Sequence, residues 1–254
     1  GIDMLEDKVV VVTGGGRGLG QAYAIEAARL GAKVVAGDIL DCGNTIHQIK
    51  AAGGSAICVD LDVTQMATTT AMAESAMETF GAIDVLINNA ALYGALTGGK
   101  FDMLDEDEWD RTMDVNVKGI WNCCKAVVPY MKTAGRGSII NVASLAATYG
   151  LPFALHYTTS KAAVIGMTRG LARELGRNEI RVNAIAPTAV LTEGTSEFFG
   201  DKTDGAMETI LQDQSLKRNP TPDDMLGTVM WLASDASGFV TGQTIAIDGG
   251  TVMS

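Results

Sequence analysis

Tyr157 and Lys161 stand four residues apart in the stretch HYTTSKA, and residues with that spacing share one face of a helix. A tyrosine with the usual pKa of about 10 is a poor proton acceptor at neutral pH. A neighbouring ammonium favours the phenolate, so this pair could take a proton from an alcohol or return one to an alkoxide. The alternative is a core aromatic residue beside a solvated lysine. The rest of the chain has to decide between the two.

Two further residues could assist such proton transfer. Ser144 ends the apolar run GSIINVAS. Active sites of open α/β sheets lie at the carboxyl ends of strands, which predicts that its hydroxyl binds a substrate oxygen and stabilises charge there. Asn116 falls inside the helical run DVNVKGIW, where asparagine is unfavourable by propensity. The plainer interpretations are a capping serine and an exposed polar asparagine.

A glycine-rich turn, TGGGRGLG, follows the first strand-like run and leads into a helical one. Gly14, Gly18 and Gly20 would let the backbone approach a pyrophosphate at the start of that helix. Asp38 ends the second strand, where it can accept hydrogen bonds from the adenosine ribose of NAD and repel the 2′-phosphate of NADP. Its plainer role is to cap the next segment. Arg17 in the turn could instead pair with that phosphate, but we weigh Asp38 more heavily and favour NAD over NADP.

Seven short apolar runs alternate with longer helical patterns. Strands are predicted at 8–13, 32–38, 55–60, 83–88, 137–144, 180–186 and 243–248. Helices are predicted near 18–31, 41–52, 65–80, 106–133, 155–176 and 222–234, with Thr64 and Thr221 as N-caps. Most strand runs are apolar on both faces, as in a parallel sheet covered by helices on both sides. The pattern predicts an α/β doubly wound fold that occupies 1–254 as one domain.

Residues 187–220 interrupt this alternation. The segment mixes glycine, threonine and acids, and it carries Phe198, Phe199 and Met207. Loops of this length in a compact domain are usually functional or mobile, so we expect a lid over the substrate. The alternative is a surface insertion.

The composition excludes several classes of partner. The 254 residues carry a net charge of −11, which disfavours nucleic acid, an anionic membrane or a strongly acidic protein. No apolar run is long enough to cross a membrane, and the first residues lack the pattern of a signal peptide. The cysteines, at 42, 58, 123 and 124, form no C-x-x-C pair. We therefore expect reduced thiols, no zinc site and a cytoplasmic protein.

These motifs together resemble the short-chain dehydrogenase/reductase family over essentially the whole chain. The resemblance rests on TGGGRGLG, Asn88-Asn89-Ala90, Asn116, Ser144 and the Tyr157–Lys161 pair, in this order. It implies a Rossmann-like sheet of about seven parallel strands, a nicotinamide cofactor, no metal, and a homotetramer or homodimer in contact through the helices near 106–133 and 155–176. It also implies that the asparagine, serine, tyrosine and lysine are the catalytic set. In that set Asn116 lies at a helix kink and positions a water that leads to Lys161, which also holds the nicotinamide ribose.

The resemblance also marks cofactor contacts. They are Gly14, Arg17, Gly18, Leu19, Gly20, Asp38, Asp62, Val63, Asn89, Ala90, Tyr157, Lys161, Pro187, Val190 and Thr192. Ala91 and Thr188 depart from the family pattern, because each stands where glycine is usual. A threonine cannot adopt a positive φ as freely as glycine, so this departure bears on how the nicotinamide is placed.

We expect a mostly apolar and partly aromatic wall around the substrate. Its predicted members are Leu92, Tyr93, Ala146, Tyr149, Phe153, Phe198, Phe199 and Met207, while His156 is expected to point along another helix face. We predict an oxidoreductase that uses NAD on a hydrophobic (aryl, cyclic or alkyl) secondary alcohol or its ketone. Three alternatives stay open: an NADPH-dependent 3-oxoacyl-(carrier protein) reductase, a polyol or sugar dehydrogenase, and a non-catalytic NAD-binding sensor.

Overall fold

One seven-stranded parallel sheet forms the centre of the molecule. The computed structural model describes residues 3–190 and 192–254, apart from the side chains of a few residues between 193 and 206. The strands are β1 (Val9–Thr13), β2 (Lys33–Asp38), β3 (Ser55–Asp60), β4 (Val85–Asn88), β5 (Gly137–Val142), β6 (Ile180–Pro187) and β7 (Thr244–Ile247). Their order is β3-β2-β1-β4-β5-β6-β7 and every pair is parallel. The predicted doubly wound α/β fold is confirmed.

Helices follow the strands in alternation. They are α1 (Gly18–Arg29), α2 (Gly43–Ala51), α3 (Met66–Phe80), α4 (Glu106–Met113), α5 (Gly119–Ala134), α6 (Leu145–Tyr149), α7 (Leu155–Leu175), α8 (Glu193–Phe199), α9 (Thr203–Asp213) and α10 (Asp223–Ala233). Met72, Val127 and Val164, from α3, α5 and α7, pack on one face of the sheet. Tyr23 and Val229, from α1 and α10, pack on the other. Burial on both faces explains why the strands read as continuous apolar runs.

The strand order reverses direction between β1 and β4. At such a point the loops after the two strands turn to opposite sides and leave a crevice at the carboxyl edge of the sheet. The glycine-rich turn follows β1 and the Asn89-Ala90 segment follows β4. The fold therefore brings two of the predicted motifs to the same crevice.

The helix predicted over 106–133 is interrupted. A π-helical turn, Asp114–Lys118, separates α4 from α5. Single π-turns inside helices are rare and occur frequently at functional sites. This one contains Asn116, so the expected local distortion is present.

The segment 187–220 contains the two helices α8 and α9, which the sequence did not indicate. Two capping residues were also misplaced: the residues at the N-cap positions are Gln65 and Pro222. Thr64 instead donates its hydroxyl to the Asp62 carboxylate at 2.6 Å. Thr221 donates its backbone N–H to Asp224 at 2.8 Å. Each threonine lies one residue before the N-cap, where it forms a hydrogen bond with a nearby aspartate.

The expectation of four reduced thiols was wrong for two of them. Cys42 and Cys58 form a disulfide, whereas Cys123 and Cys124 are free and buried. The parallel pairing of β2 with β3 sets Cys58 beside Ala36, and the chain after β2 returns Cys42 to within 3.5 Å of the Ala36 carbonyl oxygen. The cysteines therefore give no support to a cytoplasmic location. Within the described residues, no helix has both the length and the apolar character that a membrane span requires.

Candidate active site

Ser144, Tyr157 and Lys161 meet at the carboxyl end of β5. Ser144 is the N-cap of α6, where its Oγ accepts the Ala146 N–H at 3.0 Å, and its hydroxyl also forms a hydrogen bond with Tyr157. The helical spacing of four places the Lys161 ammonium nitrogen 5.8 Å from the centroid of the Tyr157 ring. Lys161 is buried and donates to the Val142 carbonyl oxygen at 2.9 Å. The capping role of Ser144 and its predicted catalytic role are thus compatible.

Burial acts on the two titratable groups in opposite directions. It raises the pKa of Tyr157 above its usual range, against a smaller lowering by the Ser144 hydrogen bond. It lowers the pKa of Lys161 to about 8. The sequence had suggested a lowered tyrosine pKa. The opposite direction results because the loss of solvent around the phenolate dominates, while the ammonium is directed at a backbone carbonyl rather than at the phenol oxygen.

Asn116 is buried in the π-turn rather than exposed. Its Oδ1 accepts the Leu92 N–H at 2.7 Å, and its Nδ2 donates to the Leu92 carbonyl at 3.1 Å and to the Ser160 hydroxyl at 3.1 Å. The asparagine thus joins the loop after β4 to α7, which carries Tyr157 and Lys161. The water relay to Lys161 stays a prediction.

His156 is fully buried beside Tyr157 and takes no part in the cavity lining. Its Nδ1 accepts the Tyr157 N–H at 3.0 Å, and its Nε2 lies 3.7 Å from the Glu108 carboxylate. The expectation that it points along another helix face agrees with this position.

The glycine turn has the geometry that a pyrophosphate requires. Gly14 and Gly18 have φ values of +67° and +57°, which other L-residues rarely adopt. A Cβ on Gly14 would lie 3.0 Å from Ala90 Cα, and a Cβ on Gly20 would overlap the Gly14 carbonyl. Gly20 therefore does not line the cavity but lets α1 begin close to the turn. The bare backbone at the start of this helix fits a dinucleotide phosphate group.

Asp38 lies at the rim of the same cavity. Its carboxylate accepts the Gly16 N–H at 2.8 Å and the Leu40 N–H at 2.9 Å. Capping of the next segment, the plainer interpretation, is thus part of its role. A carboxylate can accept about four hydrogen bonds, so it retains capacity for ribose hydroxyls. Asp62 and Val63, which follow β3 by two and three residues, also line the cavity.

The segments after β4 and β6 form the opposite side. Asn89 donates to the Gly14 carbonyl at 3.3 Å, and Ala90 donates its N–H to Thr13 at 3.0 Å. The cofactor contacts predicted at 187, 190 and 192, at and beyond the end of β6, all line the cavity. Thr188 has no positive φ, nor has Ala91. The backbone therefore does not need a glycine at either position.

A cavity of about 880 Å³ joins these parts. It runs from the glycine turn and Asp38 to Ser144 and Tyr157. Its lining includes Leu92, Tyr93, Ala146, Tyr149 and Phe199 from the predicted substrate wall, and Arg17, Gly18, Leu19 and Ala90 from the predicted cofactor contacts. Tyr93 packs against Tyr157 with ring centroids 5.7 Å apart.

Two predicted wall residues do not line the cavity, and one has its side chain outside the described part. Phe153 is 66% exposed with a φ of +62°, and it is not part of the lining. The backbone carbonyl of Phe153 accepts the Gly99 N–H at 2.8 Å. Met207 lies on α9 but also outside the lining. The side chain of Phe198 is outside the described residues.

Several lining residues were missed. Those with a discernible signal are Ile39, Leu40, Leu151 and Pro152, apolar residues beside Asp38 or between Ser144 and Tyr157. Ile39 is 76% exposed and lies at the edge of the cleft. Thr209, Ile210 and Asp213, from α9, gave no signal because the helix itself was not predicted.

Comparisons with known proteins agree with this geometry. A family described as enoyl-(acyl carrier protein) reductase matches residues 14–252. The chain is 40% identical to the 3-oxoacyl-[acyl-carrier-protein] reductase FabG of Thermotoga maritima, over 98% of this chain and 99% of that protein. It is 42% identical to a 3-alpha-(or 20-beta)-hydroxysteroid dehydrogenase of Mycobacterium tuberculosis, over 96% and 89%.

A solved structure of a putative NAD(P) dependent gluconate 5-dehydrogenase from Beutenbergia cavernae, with bound NADP at low occupancy, has a TM-score of 0.90 and 34% identity. The alignment covers 99% of both chains. The match therefore extends over the sheet, the glycine turn and the Ser144–Tyr157–Lys161 cluster. We conclude that the chain belongs to the short-chain dehydrogenase/reductase family, whose members are oxidoreductases that bind NAD or NADP.

Proposed function

We propose that this protein transfers a hydride reversibly between NAD(H) and a hydrophobic secondary alcohol or ketone, of aryl, cyclic or alkyl type. The observation that carries the proposal is the continuity of the cavity. At one end lie the glycine turn and Asp38; at the other, Ser144 and Tyr157 are bordered by apolar and aromatic side chains. A bound dinucleotide and an apolar substrate would thus meet beside the Tyr157 hydroxyl.

The proton chemistry follows from the site. A raised tyrosine pKa keeps Tyr157 protonated at neutral pH, so the phenol can give its proton to an alkoxide that forms from a ketone. Ser144 can share a hydrogen bond with the substrate oxygen and stabilise the charge that develops on it. The nicotinamide supplies or accepts the hydride when the cofactor is bound. In the alcohol-oxidising direction Tyr157 has to be a phenolate before it can accept the alcohol proton, and the positive charge of a bound oxidised nicotinamide would lower its pKa toward that state.

Support for NAD comes from Asp38. Its carboxylate lies at the rim of the cavity, held by two backbone N–H groups, where it would face the adenosine ribose and repel a 2′-phosphate. Support for an apolar ring substrate comes from the Mycobacterium tuberculosis relative, which is named for hydroxysteroids, and from Leu92, Tyr93 and Tyr149 in the lining. We propose that the segment 187–220 closes over this substrate.

A second candidate is an NADPH-dependent 3-oxoacyl-(carrier protein) reductase. The name of the Thermotoga maritima relative favours it, and so does the description of the matching family. Asp38 and the net charge of −11 stand against it, since both the 2′-phosphate and an acidic carrier would be repelled.

The test is cofactor reduction, followed by nicotinamide absorbance, with NAD or NADP. The alcohols would be 1-phenylethanol-type, cyclic and 3-hydroxyacyl compounds. Turnover of apolar alcohols with NAD would support the main proposal. Turnover of 3-hydroxyacyl thioesters alone, with NADP, would move the assignment to the carrier-protein reductase.

We further propose a homotetramer or homodimer in the cytoplasm, with neither nucleic acid nor a membrane as partner. Trp121 on α5 is 50% exposed, and Phe101 shortly before α4 is 74% exposed, so an apolar surface is available along the expected contact helices. Light scattering on the purified protein would give the mass, and a monomer would contradict the proposal.

A further inference from the structure

An ion pair connects the glycine turn to α8. Arg17 Nη1 donates to Glu197 Oε1 at 2.9 Å, and Arg17 Nη2 donates to Glu197 Oε2 at 3.4 Å. The two residues are 180 positions apart in the chain, and both line the cavity. The guanidinium in the cofactor turn is thus held by the segment that follows β6.

The carboxylate of Glu197 fits into its position closely. Gly94, in the loop after β4, lies against it so tightly that a Cβ on Gly94 would overlap Glu197 Oε2. The hydrogen bond from Arg17 also lowers the pKa of Glu197, so the group stays ionised. The side chains of Arg17 and Glu197 are 41% and 45% exposed, and ion pairs with that much solvent around them are weak. A stronger anion could therefore displace Glu197 from Arg17.

Arg17 is close to the place where the two cofactors differ. Gly16, its neighbour in the chain, donates its N–H to Asp38, the residue expected to face the adenosine ribose. In dinucleotide-binding folds a nearby arginine accommodates the 2′-phosphate of NADP, whereas an acid binds the ribose hydroxyls of NAD. This chain has both residue types, and a carboxylate already engages the arginine.

We propose that Glu197 is a second determinant of cofactor choice, in addition to Asp38. It holds Arg17 against α8 and so withholds this cation from the 2′-phosphate. NAD carries no such phosphate and leaves the ion pair intact. NADP has to take Arg17 from Glu197, and α8 then loses its contact with the glycine turn. The inference rests on the proposed preference for NAD.

The test is Glu197→Gln, which keeps the size of the side chain and removes its charge. Dissociation constants for NADH and NADPH would be measured by nicotinamide fluorescence without substrate. We expect the NADPH constant to fall by about threefold to tenfold, with the NADH constant within about twofold of wild type. Glu208→Gln is the matched control, because Glu208 is an exposed acid on α9 outside the cavity lining. It should leave both constants unchanged.

A double-mutant cycle shows whether Arg17 carries the effect. In an Arg17→Gln background, Glu197→Gln should no longer tighten NADPH binding. Hydrogen exchange gives a second readout: amides of α8 should exchange faster in wild type with NADPH than with NADH. Retained NADH binding and an unchanged circular dichroism spectrum would show that the variants fold.

Two results would overturn the role of Glu197. One is an equal change in both dissociation constants, and the other is an NADPH constant that matches the Glu208→Gln control. The preference for NAD is judged separately, from wild type alone. If wild type binds NADPH more tightly than NADH, that preference fails, while the ratio between variant and wild type still decides whether Glu197 competes for Arg17.

Discussion

The hydrogen bond between Ser144 and Tyr157 directs the phenol at the place expected for the substrate oxygen. Tyr157→Phe removes the proton donor and keeps the ring that packs on Tyr93. We expect kcat to fall by about 10²-fold to 10⁴-fold, the usual contribution of general acid–base catalysis. The dissociation constant for NADH should change little. Tyr130→Phe, on α5 and outside the lining, is the matched control, and a Tyr157 variant with most of its rate would disprove the assignment.

Burial of Lys161 gives a pH dependence of stability. The pKa of Lys161 is about 8 in the folded protein, against its usual 10.5, so between pH 8 and pH 10.5 the unfolded chain binds more protons. The free energy of unfolding contributed by Lys161 therefore rises with pH across that window. Relative to Lys161→Met, wild type should gain about 2 kcal/mol between pH 7 and pH 9.5. Urea unfolding of both proteins without cofactor, at a series of pH values, measures this difference. If the free energies of unfolding of wild type and Lys161→Met change in parallel with pH, the prediction is contradicted.

At the scale of elements, the Cys42–Cys58 disulfide joins the start of α2 to β3. Closing a loop of 16 residues contributes about 3 kcal/mol through the unfolded chain. Cys58→Ser should therefore lower the free energy of unfolding by about that amount in oxidising buffer. With a reductant present, wild type and Cys58→Ser should have nearly equal free energies of unfolding, since Cys58 is exposed and its replacement by serine destabilises the fold little. A wild-type curve that a reductant leaves unchanged would contradict this.

The sheet and most of its helices could be predicted because strands buried on both faces leave an unmistakable apolar run. Cys42–Cys58 could not, because the pairing depends on the register of β2 against β3, which no local pattern encodes. Nor could α8 and α9, because glycines, threonines and acids interrupt the segment and the helical spacing of Met207, Ile210 and Leu211 in α9 covers little more than one turn.

The candidate-site residues likewise fall into those that the local sequence could place and those that it could not. Helical spacing relates Tyr157 to Lys161, and the end of a strand positions Ser144. The sequence therefore predicted correctly that these three residues lie close together. Phe153 was misplaced because no local sequence pattern reveals its φ of +62° or its 66% exposure. Lys161 alone also does not lower the Tyr157 pKa as expected, because burial by several packed elements raises it. The lowering expected from an oxidised nicotinamide ring stays a prediction.

At the scale of the whole molecule, charge distinguishes the two candidate functions. The net charge of −11 should repel an acidic carrier protein, whereas an uncharged small substrate is unaffected. The experiment compares two substrates that carry the same 3-oxoacyl group, one on a carrier protein and one on a short neutral thiol. For each substrate, kcat/KM is measured at increasing salt concentration. Between about 0.01 M and 0.15 M the screening length falls from about 30 Å to about 8 Å.

If the carrier is not a natural partner, repulsion weakens as salt rises, so kcat/KM for the carrier-linked substrate should increase. The value for the neutral thioester should stay constant and serves as the control. An enzyme that docks a carrier through a basic patch would show the reverse, because attraction is what the salt then screens. A fall in kcat/KM confined to the carrier-linked substrate would therefore favour the carrier-protein reductase, despite the acidic charge of the molecule.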